Sequence, residues 1–187
     1  MTVRRHRESW WIDGLYRDET DSYRYDGEMT AEQFEKARHD LGRNEGPALL
    51  FDLWYTGSID LHESPGVVAA VWTMAEFPAS AFDPPTMWVD LFDEAGFTRD
   101  GLPAQRPDKP VTVYRGCHHD RRFGMSWTTD LDRARWFAAR GPKTGNVYTV
   151  DAQPQWLLAY IHEWGRREAE YVIDPQYLSD DVVVRLE

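Results

Sequence analysis

The 187-residue chain has a single cysteine, Cys117. No disulfide can form within it, and that economy fits a reducing, cytoplasmic setting. No apolar run approaches the roughly 18 residues that a membrane helix needs. The basic start, M-T-V-R-R-H-R, is not followed by an apolar h-region, so no signal peptide is expected. Neither G-x-G-x-x-G nor G-x-x-x-x-G-K occurs, which leaves a Rossmann or P-loop nucleotide site without support. Cys117-His118-His119-Asp120 holds metal-ligating types, but neighbours in sequence point apart and no second Cys or His pair stands at a zinc spacing. That segment reads as a solvated loop, with no metal. Internal repeats and low-complexity tracts are also missing.

Positive charge is scarce. The formal net charge is -11. Residues 1–110 hold 11 Lys/Arg against 21 Asp/Glu, or -10, and the rest hold 10 against 11, or -1. Such a chain is not steered towards phosphate backbones, so nucleic acid is not an expected partner. With 42% hydrophobic residues and 9 Trp, the chain has ample material for a core.

The first part reads as helical. Thr30 and Gln33 form a capping-box pattern, followed by Phe34, Ala37 and Leu41 at helical spacing and by Gly42 as a stop. A second helix is expected over residues 48–55. A third begins after Ser64-Pro65, and a fourth starts at Asp83-Pro84-Pro85 and closes at Gly96. Residues 1–27 read as an irregular arm or a short strand. Residues 100–110 form a connector with three prolines. Beyond it, five runs have strand character: 111–114, 125–128, 147–150, 171–173 and 182–186. One helix between them begins at Thr129, paired with Asp132, and ends at Gly141; a short helical segment is expected over 155–161. The expected fold class is α+β: a helical acidic lobe over 1–108, then a mostly antiparallel β core over 109–187.

Three features of that core carry chemistry. Arg115 ends an apolar strand between Tyr114 and Gly116, and a fixed guanidinium there suits a phosphate or carboxylate. Ser126 and Thr128 alternate onto one strand face, just before a helix, where a hydroxyl can hold a carboxylate. Arg167-Glu168-Ala169-Glu170 brings two carboxylates, spaced by two, to the start of an apolar strand. Taken singly, each also has an ordinary explanation: a surface ion pair, a helix cap, a solvated strand edge.

Their order resembles the R-S-E signature of ADP-ribosyltransferases, over roughly residues 111–187. The resemblance implies that NAD is the co-substrate and a protein side chain the acceptor. Arg115 would grip the NAD phosphates or adjoining ribose, with Tyr114, Gly116 and Thr128 beside it. Ser126 would orient the catalytic Glu170, which stabilises the oxocarbenium-like sugar as nicotinamide leaves. Glu168 would activate the acceptor, and glutamate at that place goes with arginine acceptors in that family. Trp136 and Phe137 are the aromatic candidates for stacking on nicotinamide. Ten residues separate Arg115 from Ser126, fewer than in most members, and the hydroxyl motif reads Ser-Trp-Thr. NAD hydrolysis on the same residues is a rival reading. So is a non-enzymatic protein whose acidic part binds a basic partner. A role in toxicity or phage–host conflict is an expectation from the family's habits alone.

Overall fold

Thr30 and Gln33 satisfy each other's backbone. The Gln33 N–H donates to the Thr30 hydroxyl at 3.2 Å, and the Thr30 N–H donates to the Gln33 side-chain oxygen at 2.9 Å. Two donors that a helix start leaves without partners are thereby used. They open α1 (Ala31–Leu41), which stops at Gly42, where φ is 90°. The structure is a computed structural model that describes residues 12–82, 84–140, 144–164 and 168–186. The start of the expected arm, the helix start at Asp83, the stop at Gly141, and Arg167 lie outside the described residues.

Three more helices follow: α2 (Gly46–Tyr55), α3 (Gly66–Met74) and α4 (Met87–Ala95). Each presents an apolar stripe: Leu49, Leu50 and Leu53 on α2, Val67, Val68, Val71 and Trp72 on α3, and Trp88, Leu91 and Phe92 on α4. The Trp72 and Trp88 rings meet edge to face, with centroids 5.1 Å apart. Ahead of α1, β1 (Leu15–Arg17) and β2 (Tyr23–Tyr25) pair as a hairpin, so this part of the expected arm is ordered structure.

The remaining strands are β3 (Thr98–Arg99), β4 (Leu102–Pro103), β5 (Val111–Cys117), β6 (Ser126–Thr128), β7 (Asn146–Ala152), β8 (Leu157–Ile161), β9 (Glu170–Ile173) and β10 (Val184–Arg185). They form one sheet in the order β10-β7-β5-β6-β9-β8-β3-β4. Among the described residues, only the β3–β8 pairing is parallel. The architecture is mixed α+β, with five α-helices and a large, mostly antiparallel sheet among the described residues.

Three local expectations are corrected. The helix expected at 155–161 is a single 3-10 turn, Pro154–Trp156, that runs into β8. L-L-A-Y-I lies between β3 and β9 and is buried on both faces, and such a strand carries the same unbroken apolar run as a buried helix. The connector expected from residue 100 starts inside the β3–β4 hairpin, whose turn is Asp100-Gly101 at φ 48° and 74°. Asp-Gly is the dipeptide that such a two-residue turn favours. Finally, α5 (Leu131–Ala139) is capped by Asp130, not Thr129: the Asp130 carboxylate accepts the N–H groups of Asp132 and Arg133 at 2.9 and 3.1 Å.

One core joins the helices to the sheet. Met125, Leu158, Ile161 and Val172 pack with the apolar stripes of α1–α4. The opposite sheet face buries Val113, Trp127, Val150, Tyr171 and Ile173. On the helix side, Ala134 and Ala138 of α5 seat on Val147 and Tyr114. The division between residues 108 and 109 falls between β4 and β5, both strands of the same sheet.

Candidate functional site

The register of β6 against β9 decides what faces what. Ser126 lies opposite Val172, and Thr128 opposite Glu170. Since Val172 packs with the helices, Ser126, Thr128 and Glu170 share the helix-side face. Tyr114 lies opposite Thr128 on the other flank of β6. There β5, β6, α5 and the start of β9 border a cleft of about 790 Å³. Tyr114, Arg115, Gly116, Ser126, Thr128, Phe137, Glu168 and Glu170 all line it. These residues come from positions up to 56 apart in the chain, 114 to 170, and the fold brings them to one place.

Glu170 is 9% exposed. The Trp72 indole N–H donates to its Oε1 at 3.0 Å, and the nearby Ser126 hydroxyl also favours its charged form. Burial pushes the Glu170 pKa up and outweighs those donors. Glu168 raises it further and Arg115 opposes the rise. The result is a carboxylate held in a fixed orientation and more basic than a solvated one.

Glu168 reaches the cleft by a route that strand alternation does not describe. It precedes β9, and Ala169 between the two glutamates has φ 47°, a conformation that costs a non-glycine residue about 1–2 kcal/mol. Two hydrogen bonds hold the segment there. Thr128 Oγ1 donates to the Glu168 carbonyl at 2.6 Å, and the Thr129 N–H donates to the Ala169 carbonyl at 3.1 Å. Thr128 also accepts the Asp130 N–H at 3.0 Å. Its hydroxyl is thus used to set the carboxylate pair and the α5 cap, which is a positioning duty.

Arg115 is half-buried, and much of its donor capacity is spent on the backbone. Its Nε donates to the Arg121 carbonyl at 2.9 Å and a terminal nitrogen to the Ser126 carbonyl at 2.5 Å. These bonds fold residues 118–125 tightly back onto β5 and account for the short interval before Ser126. Gly124 makes this possible, because a Cβ there would lie 2.4 Å from the guanidinium. Arg121, exposed at the mouth, is the less encumbered cation of the cleft. Gly116 is required by packing: a Cβ at that position would lie 1.8 Å from the Ala134 carbonyl oxygen, so only glycine lets α5 seat on β5.

Trp136 departs from expectation. It is 50% exposed, does not line the cleft, and lies under the guanidinium groups of Arg133 and Arg140. Successive residues of a helix are turned about 100° apart, so only Phe137 of the pair looks inward. Phe137, Ser126, Glu168 and Glu170 also border a smaller recess of about 200 Å³, on the side of Trp72 and Trp164. The carboxylate pair therefore stands between two spaces. Sequence reasoning missed Trp72 and Gly124, and weighed Arg121-Arg122 for a phosphate only to set the pair aside as ordinary loop arginines. A buried indole must find an acceptor, which is a signal, but nothing local says that the acceptor lies 98 residues on.

The arrangement can stabilise a cation that develops beside Glu170 and take a proton from a group beside Glu168. It can also hold an anion near Arg121 and Arg115. Among the described residues, no group of three His, Cys, Asp or Glu is placed to hold a metal ion, and no helix is long and apolar enough to cross a membrane. Comparison with protein-family models, curated proteins and solved structures finds no match.

Proposed function

We propose that the chain is an NAD-dependent mono-ADP-ribosyltransferase that modifies a protein side chain, with arginine as the acceptor that the Glu168 position favours. One observation carries this reading: Arg115, Ser126, Glu168 and Glu170 border one cleft, with Glu170 buried and oriented by Ser126 and Trp72. The nicotinamide–ribose bond breaks with its electron pair leaving on nicotinamide. The sugar becomes cationic at C1′, and the fixed Glu170 carboxylate gains strength as that charge appears. An acceptor nitrogen then bonds to C1′ and gives up its proton to Glu168. Arg121, with Arg115 behind it, would meet the diphosphate, and Phe137 offers an aromatic ring on the cleft wall.

The test uses NAD labelled in its adenosine half, with a cell lysate as acceptor and nicotinamide release measured in parallel. Glu170→Gln should lower both transfer and release by about 10²–10⁴-fold. Glu168→Gln should lower transfer at least tenfold while release persists, because water replaces the acceptor. Release without transfer, in the wild type, would make the protein an NAD glycohydrolase. No release and no transfer from the wild type would remove the enzymatic reading altogether.

A further inference from the structure

A third depression opens beside the carboxylate recess. Thr73 and Trp164 line both that recess and a groove of about 830 Å³ that runs outward between α3 and the β3–β4 hairpin. The two carboxylates thus stand at the inner end of a longer track. Its size is that of sites that enclose a drug-sized ligand, ~300–1,000 Å³.

The track is preformed. Trp164 rests on the turn of the β3–β4 hairpin so closely that a Cβ on Gly101 would lie 2.1 Å from the indole. Gly66, at the start of α3, packs against the Gly101 carbonyl oxygen, which lies 2.8 Å from where its own Cβ would be. The Asp100 carboxylate accepts the N–H groups of His162 and Glu163 at 2.7 and 2.8 Å, which fixes the segment that carries Trp164. Helix, hairpin turn and indole are locked together.

The walls are apolar and open. Leu102 is 70% exposed, Met74 47% and Trp164 36%. Large apolar side chains grouped on one surface mark a site of association. The charges beside them are mainly negative. Glu35, Glu63 and Glu163 line the groove against a single arginine, Arg38, which is bound to Glu35. Three carboxylates less one guanidinium leave the groove two units negative, with histidine neutral. A polyanion or an anionic lipid surface would be repelled there.

We propose that this groove docks an extended polypeptide with alternating apolar and basic side chains, the segment that flanks the modified residue of the acceptor. Its apolar side chains cover Met74, Leu102 and Trp164, and its cations meet Glu63 and Glu163. The segment thereby delivers its reactive side chain to the recess at Glu168 and Glu170. The chemistry at the inner end rests on the transferase reading; the docking itself does not.

The probe is a fluorescein-labelled peptide, Gly-Leu-Arg-Val-Lys-Leu-Arg-Gly, with a control in which Glu replaces every Arg and Lys. Binding is read by fluorescence anisotropy on the full chain. The basic peptide should bind the wild type, and more weakly at higher salt. Its affinity should fall about tenfold in the double variant Glu63→Lys, Glu163→Lys and in Met74→Asp, all exposed positions that the fold tolerates. Glu170→Gln should bind as the wild type does. Nicotinamide release from NAD should stay within about twofold in the groove variants, since none of these side chains borders the NAD cleft. Equal binding by wild type and groove variants would overturn the proposal, as would tighter binding of the acidic peptide. So would a wild-type dimer on gel filtration that Met74→Asp dissociates, because a second copy would then be the occupant. A wild type that binds the basic peptide but releases no nicotinamide would keep the groove and sink the transferase reading.

Discussion

Glu170→Gln separates catalysis from stability and tests the electrostatics of the site in one substitution. The side chain is 9% exposed and faces two donors, the Trp72 indole and the Ser126 hydroxyl. Glutamine keeps the shape and one acceptor oxygen. Hydrogen bonds to a charged group contribute about 1.5–3 kcal/mol and neutral ones about 0.5–1.5 kcal/mol, so weakening the Trp72 bond costs roughly 1 kcal/mol. Against this stands the desolvation of a buried ion, several kcal/mol before its partners offset it. The raised pKa of Glu170 means that desolvation wins. The folded state then binds a proton more tightly than the unfolded one, and stability falls as pH rises from the ordinary glutamate value of 4.5 through the raised folded value. Below 4.5 the wild type carries no such penalty. Glu170→Gln should therefore match the wild type at low pH and surpass it at pH 8 by about 1–2 kcal/mol, or roughly 2–8 °C in Tm for a chain of this size. Thermal melts of both proteins from pH 4 to pH 8 measure the difference. A variant that melts lower than the wild type at pH 8 would show that the donors outweigh burial, and the reasoning would fail.

Trp72→Phe removes the indole donor but keeps a ring against Trp88. It should push the Glu170 pKa still higher, slow nicotinamide release at pH 7 about tenfold and shift the acid limb of the pH–rate profile upward; the smaller ring should also cost about 1 kcal/mol in a urea melt. Thr128→Val deletes the bonds to the Glu168 carbonyl and the Asp130 N–H, so about 2 kcal/mol of stability should go, and transfer should fall more than NAD hydrolysis. Gly116→Ala puts a methyl group 1.8 Å from the Ala134 carbonyl oxygen, and the displaced α5 should cost about 3 kcal/mol, seen as a lower Tm.

Much of the local structure was legible. The Thr30–Gln33 box, the stop at Gly96 and the apolar stripes of α1–α4 follow from local hydrogen bonding and from the 3.6-residue period. Five of the strands were readable as apolar runs bounded by turns. The β8 run was not, because an unbroken L-L-A-Y-I has no period and its neighbours in the sheet decide its state. The Asp100-Gly101 turn was written in the sequence but hidden among prolines that suggested a connector. Thr129 and Asp130 are both good helix caps, and only the backbone path after Thr128 selects the second.

By itself, the sequence determined most of the helices and five of the strands, and it supplied a short set of charged and hydroxyl residues worth watching. It did so because backbone propensity, capping and side-chain periodicity are short-range effects. Tertiary structure alone decided what those residues touch. It turned Trp136 to solvent and Phe137 to the cleft, spent Arg115 on two carbonyls, and bent the chain at Ala169 so that both glutamates border the same space. It also supplied Glu170 with an indole from α3, 98 residues earlier in the chain. A buried polar group takes whichever partner long-range packing brings within 3 Å, and no local rule encodes that choice.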